Sequence, residues 1–157
     1  MKLAAISLLA LAATPLAAQL PTPGGFATPA DVQALVERIG AGMKPGQIFA
    51  MAPLVRADTS VASVEYWKGP GRPAIHPTDA EYAIVVAGAG TLVSGGSMTE
   101  PEVTNPGLTQ GGKIEGGTSR PLAPGDIIMI PAGVPHWFGV TGGKLALLGL
   151  KLPQPKP

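Results

Sequence analysis

From residue 47 onward, short apolar stretches alternate with breaks rich in Gly, Pro and Asp, and this pattern limits the possible folds most. The stretches predicted as strands are Ile48–Arg56, Val61–Trp67, Glu81–Val86, Thr91–Ser94, Asp126–Ile130, His136–Val140 and Leu145–Leu150. The 22 glycines and 18 prolines among 157 residues suit many tight turns better than a helical bundle. No convincing helix interrupts the series, which disfavours parallel βαβ architecture and predicts an all-β sandwich or barrel.

One short helix is predicted before the strands, within a segment at 19–46 that otherwise forms an arm. Thr28 is the expected N-cap, Pro29 suits the first helical position, and Asp31 favours the positive end of the helix. Apolar residues then recur at helical spacing until Gly40. We expect this helix to pack on the barrel rather than to carry function.

The first 18 residues have the pattern of a secretory signal peptide. Lys2 provides a basic start, Leu3–Ala13 is apolar, and small residues precede the expected cut after Ala18. The apolar run is too short to predict a transmembrane span. The alternative is an amphipathic leader of a cytoplasmic protein. A signal peptide at 1–18 predicts a periplasmic or secreted bacterial protein that has no membrane anchor after cleavage.

Composition excludes several functional classes. The chain contains no cysteine, which rules out disulfides, thiolate metal sites and lipid attachment through cysteine. The net charge is +1 and no basic run occurs, so we expect no nucleic-acid partner. With two histidines and no Gly-x-Ser-x-Gly motif, a serine-type catalytic triad has no support. The expected partner is a small molecule.

A pair of side chains with possible chemistry brackets a turn before the third predicted strand. His76 and Glu81 are five residues apart, which on one uninterrupted strand would place them on opposite faces. Pro77, Thr78 and Asp79 are turn residues, so the chain can bend and direct both side chains into one cavity. Glu81 begins a largely apolar strand, and a buried carboxylate needs a partner such as a metal ion. The alternative is an exposed turn histidine followed by a surface carboxylate.

The second histidine follows another turn. The apolar strand that ends at Ile130 leads through Pro131 and Gly133 to His136, which should share a strand face with Phe138. A histidine with apolar neighbours tends to be neutral, which suits it to be a metal ligand or a hydrogen-bonded base. Alternatively, His136 is a core histidine whose hydrogen bonds are satisfied.

Together the two segments resemble the two motifs of the cupin family. In the family's first motif, His76 matches the second of the motif's own histidines. Glu81 matches the motif's glutamate, and Gly88 matches its closing glycine. The second motif, G-x5-P-x-G-x2-H, is matched by Gly125, Pro131, Gly133 and His136. The resemblance covers about residues 60–150. It implies a double-stranded β-helix, or jelly-roll cupin barrel, with a metal site in its mouth.

Two positions depart from the family pattern. Ala74 stands where metal-binding cupins usually carry another histidine, and Val140 replaces the asparagine of the second motif. The ligand set that the resemblance implies is therefore His76, Glu81 and His136. Two histidines and one carboxylate form a facial triad that suits Fe(II) and tolerates Mn(II), Ni(II) or Zn(II). Asp79 is a candidate substitute ligand or partner of a ligand.

The resemblance leaves three functions open, of which the third is a structural dimer module with a vestigial site. One is a metalloenzyme of the oxygenase or the isomerase/lyase type that acts on a small molecule, with carboxylates among the candidate substrates. Another is a ligand-binding cupin without catalysis, in which the site has degenerated and the pocket is lined by Ala83, Val85 and Phe138. Arg72 and Phe138 are the candidate substrate-binding residues. No catalytic residue is assigned, since a general base is not evident beyond Glu81 or a metal-bound water.

The expected organisation places the cupin barrel at 47–152 and a flexible tail at 153–157. Residues 95–119 contain few large apolar side chains and are predicted to form a long loop or weak hairpin that can cover the site. Tyr82, Ile84 and Val86 make an apolar strand face that is consistent with a homodimer. Trp137, on the strand face away from His136, is predicted to pack or to contact a partner copy.

Overall fold

The computed structural model of the protein describes residues 25–154. The predicted signal peptide at 1–18, the arm residues 19–24 and the tail residues 155–157 lie outside the described residues. The elements are α1 (Pro29–Gly42), β1 (Phe49–Ala57), β2 (Ser60–Trp67), β3 (Ala74–Ile75), β4 (Asp79–Ser94), β5 (Ser97–Met98), β6 (Glu102–Asn105), β7 (Leu108–Gln110), β8 (Ile114–Glu115), β9 (Thr118–Leu122), β10 (Ile127–Ile130) and β11 (His136–Pro153).

Two long strands organise the antiparallel sheet. β11 pairs with β4 from Ser94 to Asp79 and also borders β2 and β3. β4 pairs further with β9 and β10, while β1 and β6 lie at the two ends of the main strand order. β5 and β8 form a separate two-stranded sheet. This mostly β architecture with one short helix confirms the predicted jelly-roll barrel.

Strand alternation separates two hydrophobic clusters. Leu145 and Leu147 of β11 are fully buried inside the barrel, where they contact β4 residues such as Val85. Ala146, between them, points to the other side of the sheet and packs under the helix. Burying a leucine or valine side chain stabilises the fold by about 1.5–3 kcal/mol, so both clusters hold the barrel rigid around its mouth.

Helix α1 begins as the sequence predicts. Thr28 and Asp31 form a reciprocal capping box, in which the Asp31 backbone N–H donates to Thr28 Oγ1 at 3.2 Å and the Thr28 N–H donates to Asp31 Oδ2 at 2.8 Å. Val36 of the buried stripe packs against β1 and β2, so the helix covers the outside of the sheet. Within residues 25–154, no helix is long and apolar enough to cross a membrane.

Two pairs of predicted strands are single long strands in the structure. β4 unites the predicted strands at 81–86 and 91–94, and β11 unites those at 136–140 and 145–150. The glycines between the predicted strands do not end β4 or β11. They lie where the β4–β11 register shifts between Val140 and Leu145, as at a β-bulge. Val86 packs against the helix-side cluster, so α1 covers part of the strand face that was proposed for dimerisation.

The segment at 95–119, predicted to be a long loop or a weak hairpin, contains a short hairpin. It contains β5 to β8, and β6 and β7 form a short hairpin in which Asn105 Oδ1 accepts a hydrogen bond from the Gly107 N–H at 2.9 Å. β7 pairs with β3, next to His76. Part of this segment is therefore a wall of the barrel mouth.

Candidate metal centre

Three strand ends meet at the mouth of the barrel and bring His76, Glu81 and His136 together. The chain bends at 77–78 between β3 and β4, as the turn residues predict, so His76 and Glu81 reach the same space. His136 is the first residue of β11 and pairs with Ala74 of β3. The Gly133 N–H donates to the His76 carbonyl oxygen at 2.8 Å, which fastens the second motif to the first.

The distances place the three side chains in one cluster. Nε2 of His76 lies 3.2 Å from Oε2 of Glu81, and Nε2 of His136 lies 3.1 Å from the same oxygen. One donor atom from each of the three residues falls within 4.8 Å of the others. Glu81 and His136 are buried, each with 3% of its surface exposed. The convergence that the turn and the two motifs predict is therefore present.

The Nδ1 atom of each histidine ring lies within hydrogen-bond distance of a backbone carbonyl oxygen. Nδ1 of His76 lies 3.0 Å from the Gly107 oxygen, and Nδ1 of His136 lies 3.1 Å from the Val134 oxygen. A carbonyl oxygen only accepts hydrogen bonds, so Nδ1 is the donor and Nε2 of a neutral ring has no proton. A neutral ring then presents its Nε2 lone pair to Glu81, whereas a charged ring presents an Nε2–H donor to the carboxylate. The backbone thus fixes the ring orientation and tautomer that a metal ligand needs.

Glu81 Oε2 is a buried anionic atom whose nearest charged neighbour is Lys151. It is buried, and no described group hydrogen-bonds to it in acceptable geometry, although three nitrogen atoms surround it. The third nitrogen is Nζ of Lys151, at 2.6 Å. Burial alone would raise the pKa of Glu81, but the His136 and His76 rings and the Lys151 charge outweigh it and hold the pKa far below its ordinary value. Glu81 is therefore an ionised carboxylate.

The residues fit a divalent cation. In the neutral-ring tautomer, two imidazole lone pairs and one carboxylate oxygen converge, and they repel one another unless positive charge lies near them. Lys151 Nζ supplies one such charge at 2.6 Å from Oε2, and a divalent cation among the three donors would supply more. Two nitrogens and one oxygen are a donor set that Fe(II), Mn(II), Ni(II) and Zn(II) accept, with further positions open to a ligand. Glu81 Oε2 makes no hydrogen bond of acceptable geometry, and it is the oxygen that such a cation would bind. Ala74, at the position of the missing fourth ligand, lines the cavity beside His136.

The cluster opens into a largely apolar cavity of about 440 Å³. Its apolar lining consists of Ile48, Phe49, Met51, Leu108, Trp67, Trp137 and Phe138. Its polar lining outside the cluster comes from Glu65, Arg72, Gln110 and Lys151. A volume of this size accommodates a small organic molecule with an apolar body.

The other predicted site residues have mixed outcomes. Phe138 lines the cavity and packs on the His136 ring with 6.0 Å between ring centroids. Arg72 lies at the mouth, where its guanidinium is 52% exposed and lies 3.5 Å from Glu102, so its role in substrate binding stays a prediction. Asp79 is outside the cluster and accepts a hydrogen bond from Thr78 Oγ1 at 2.7 Å. The expectation that Asp79 substitutes for a ligand was wrong, since the cluster of possible ligands contains His76, Glu81 and His136 without it.

The predicted cavity lining was wrong at two positions. Ala83 and Val85 are 0% and 1% exposed and belong to the packed barrel core rather than to the cavity wall. Trp137, predicted to pack away from the site, lines the cavity and donates from Nε1 to the Gly71 oxygen at 2.9 Å. This bond ties Trp137 to the loop before β3 and turns the indole toward the mouth.

Two charged side chains of the site were missed in the sequence. Glu65 follows Val64 in a strand that is otherwise largely apolar, and Lys151 lies two residues beyond Gly149 on the barrel-facing side of β11. A charged residue on the inward face of a predicted strand is the signal that could have found them. Their positions relative to Glu81 depend on the register of β2, β11 and β4, which strand prediction alone does not supply.

A second cavity, of about 360 Å³, lies between β9 and β10. Arg120 and Asp126 contribute its charged side chains, and Ile127 and Met129 of β10 are 68% and 56% exposed. It contains no member of the histidine–glutamate cluster. The chemistry therefore assigns the candidate site to the barrel mouth.

Comparison with known proteins supports the fold. Residues 49–151 match the family described as Cupin. The TT1209 protein of Thermus thermophilus superposes with a TM-score of 0.51 at 16% identity, over 76% of this chain and 94% of that protein. The search of curated proteins found no match.

Other solved structures resemble the chain over a smaller part of their length. DMSP lyase DddQ from Ruegeria pomeroyi has a TM-score of 0.49 and 21% identity, over 70% of this chain. The chain spans about half of DddQ, with 49% of that protein covered. A predicted oxalate decarboxylase from Thermotoga maritima has a TM-score of 0.49 and 16% identity, over 68% of this chain and 81% of that one.

Proposed function

Because the chain belongs to the cupin family, we propose that it is an exported metal-dependent enzyme that acts on a small molecule, by oxygenase or isomerase/lyase chemistry. The observation that carries the proposal is the pair of Nε2 atoms, of His76 and His136, that face the buried Glu81 oxygen at 3.2 and 3.1 Å. Backbone carbonyl groups orient the two histidines, and the carboxylate is buried between them. This donor set is more stable with a divalent transition metal bound than without one.

In this function, His76, Glu81 and His136 hold the metal, which when bound supplies Lewis acidity or dioxygen activation at its open positions. The chain's own side chains do the rest of the work. Phe138 and Trp67 provide apolar walls that orient the substrate and keep water from it. Arg72, at the mouth, supplies the positive charge for a carboxylate of the substrate.

Metal analysis of the mature, tag-free protein tests the proposal. After removal of bound metal and reloading with Fe(II), Mn(II), Ni(II) or Zn(II), we expect close to one ion per chain, as a three-donor site predicts. Glu115→Gln, which removes an exposed carboxylate outside the cluster, is the control and should bind the same amount. Failure to retain any of the four metals would contradict the proposal. Substrate conversion by the loaded protein, followed by NMR over a set of small carboxylates, then separates catalysis from binding alone.

A second candidate function is binding of a small ligand without catalysis, at a degenerate metal site. The observation that favours it is Lys151, whose Nζ lies 2.6 Å from Glu81 Oε2 and supplies a positive charge where a metal would otherwise be needed. Ala74, in place of a fourth ligand, acts in the same direction. In this alternative the lysine neutralises the buried carboxylate, and the apolar cavity alone retains the ligand.

Replacing Lys151 with methionine should separate the two functions. In Lys151→Met the ammonium no longer repels a divalent cation, so we expect metal affinity to rise about tenfold, equivalent to about 1.4 kcal/mol. Competition with a chromophoric chelator measures the affinity. Lys144→Met, on the same strand but outside the cavity, is the matched control. If the wild-type protein binds no metal and Lys151→Met does, the degenerate site is favoured. If the two proteins bind metal with the same affinity, the expected repulsion between Lys151 and the metal ion is contradicted.

Export forms part of the proposal and depends on the signal peptide at 1–18. Export directed by this segment, followed by its cleavage, would place the enzyme in the periplasm or outside the cell. The intact mass of the protein recovered from the periplasmic fraction measures the cut, and recovery of the uncut chain in the cytoplasm would contradict export.

A further inference from the structure

A carboxyl group that belongs to neither motif faces the same cavity. Glu65 lies on β2, two residues before Trp67, and both line the cavity that contains the histidine–glutamate cluster. Across the sheet, Glu65 is opposite Met51 of β1 and Leu147 of β11. An acidic side chain thus occupies a position on the barrel-facing side of β2 where its neighbours are apolar.

Space for this carboxyl group is provided by a glycine on the neighbouring strand. A Cβ atom added at Gly149 would lie 3.2 Å from Oε1 of Glu65, tighter than ordinary packing. Gly149 also leaves the Glu65 group between Leu147 and Lys151 along the inward face of β11. The fold therefore holds the Glu65 carboxyl inside the barrel mouth rather than releasing it to the surface.

The charged groups around Glu65 do not neutralise it. Among residues 25–154 it forms no ion pair, and the buried Trp67 N–H lies beside it outside hydrogen-bond geometry. Burial raises the pKa of Glu65, and the negative Glu81 raises it further. The Lys151 charge, Trp67 and His76 act in the opposite direction without overcoming this. The Glu65 carboxyl group therefore faces the cavity without a charged partner among the described residues, and its raised pKa favours the protonated, hydrogen-donating form more than in an ordinary glutamate.

We propose that Glu65 is a substrate-binding residue that donates a hydrogen bond from its carboxyl group to an oxygen atom of the molecule held at the His76–Glu81–His136 cluster. The inference rests on the proposed metal site, because the cluster holds one end of that molecule. The substrate class is then a small molecule with an apolar body and two oxygen functions: an anionic group at the cluster and a hydroxyl or carbonyl oxygen at Glu65.

Infrared difference spectroscopy tests the donor without any metal or substrate. At about pH 6, above the ordinary glutamate pKa of about 4.3, wild-type protein should show the carbonyl stretch of a neutral carboxylic acid. This band should be absent from Glu65→Gln and present in Glu37→Gln, which removes an exposed helix carboxyl group. A wild-type spectrum without the band, or with a band that persists in Glu65→Gln, would overturn the proposal even if the metal site is correct.

The stability of Glu65→Gln distinguishes a binding role from a structural one. A carboxyl group whose pKa is higher in the folded than in the unfolded state lowers the free energy of unfolding as pH rises above its ordinary pKa. The reason is that the unfolded chain releases the proton at a lower pH than the folded protein does. Glu65→Gln should therefore be at least as stable as wild type at neutral pH and should lose less stability toward alkaline pH. A marked loss of stability at all pH values would indicate a structural carboxylate and overturn the proposal.

Probe binding tests the contact with a ligand oxygen. Benzoate and the ortho, meta and para isomers of hydroxybenzoate are titrated into Zn-loaded protein and followed by tryptophan fluorescence. One hydroxyl isomer should bind wild type about tenfold more tightly than benzoate, as one hydrogen bond predicts, and Glu65→Leu should lose this preference while benzoate affinity stays similar. A preference that survives in Glu65→Leu, or none in wild type, would overturn the proposal. Failure of benzoate itself to depend on zinc would instead count against the metal site.

Discussion

Glu81→Gln should lower the affinity for a divalent transition metal by at least about 100-fold, since about 10–16 kcal/mol of binding is shared among a few ligands. The amide keeps the volume of the side chain but removes the negative charge that faces Nε2 of His76 and of His136. Competition with a chromophoric chelator measures the constant. His136→Ala should abolish binding, because it removes a buried donor that the Val134 carbonyl group orients.

The stability of the metal-free variant provides the control. The folded pKa of Glu81 lies below its unfolded value, so this carboxylate contributes stability above its ordinary pKa and the contribution is lost as pH falls through that value. Urea unfolding of metal-free Glu81→Gln should therefore show weaker acid dependence than wild type. A variant that folds at neutral pH and still binds metal like wild type would contradict the assignment of Glu81 as a ligand.

The cluster could be predicted from sequence in two steps. The turn between His76 and Glu81 allows both side chains to point into one space, which residue types alone indicate. That His136, 55 residues after Glu81, joins them was implied by the resemblance to the two cupin motifs. Alternation along a strand also places Phe138 beside His136 correctly. The same alternation does not tell how deep a residue lies, which is why Ala83 and Val85 were assigned to the cavity although they are in the core below it.

The rest of the site depends on contacts between strands far apart in sequence. Lys151 reaches Glu81 because these residues are directly paired between β11 and β4. Glu65 faces the same mouth because Leu147 of β11 is its partner across the sheet. A register change of one residue would turn either charge to the other face, and composition and spacing do not determine register. For this reason the metal ligands could be named in advance, whereas the charges that tune them could not.

Gly88→Ala should destabilise the protein by about 2–5 kcal/mol, from the left-handed backbone conformation and from overpacking. Gly88 has φ +78°, a conformation that favours glycine, and an added Cβ would collide with the backbone carbonyl of Lys144. It pairs with the fully buried Leu145 at the point where the β4–β11 register shifts. The sequence motif ends in glycine here because the two central strands approach each other too closely for any side chain.

Gly142→Ala is the matched comparison for this effect. Gly142 has φ +77°, almost the same as Gly88, but an added Cβ would have no heavy atom within 4 Å. Its substitution should therefore cost only the conformational part, about 1–2 kcal/mol. Urea unfolding of both metal-free variants at one pH gives the difference. Equal losses would show that backbone conformation alone explains the motif glycine, whereas a larger loss in Gly88→Ala would trace it to the close approach of β4 and β11, the strands that hold Glu81 and His136.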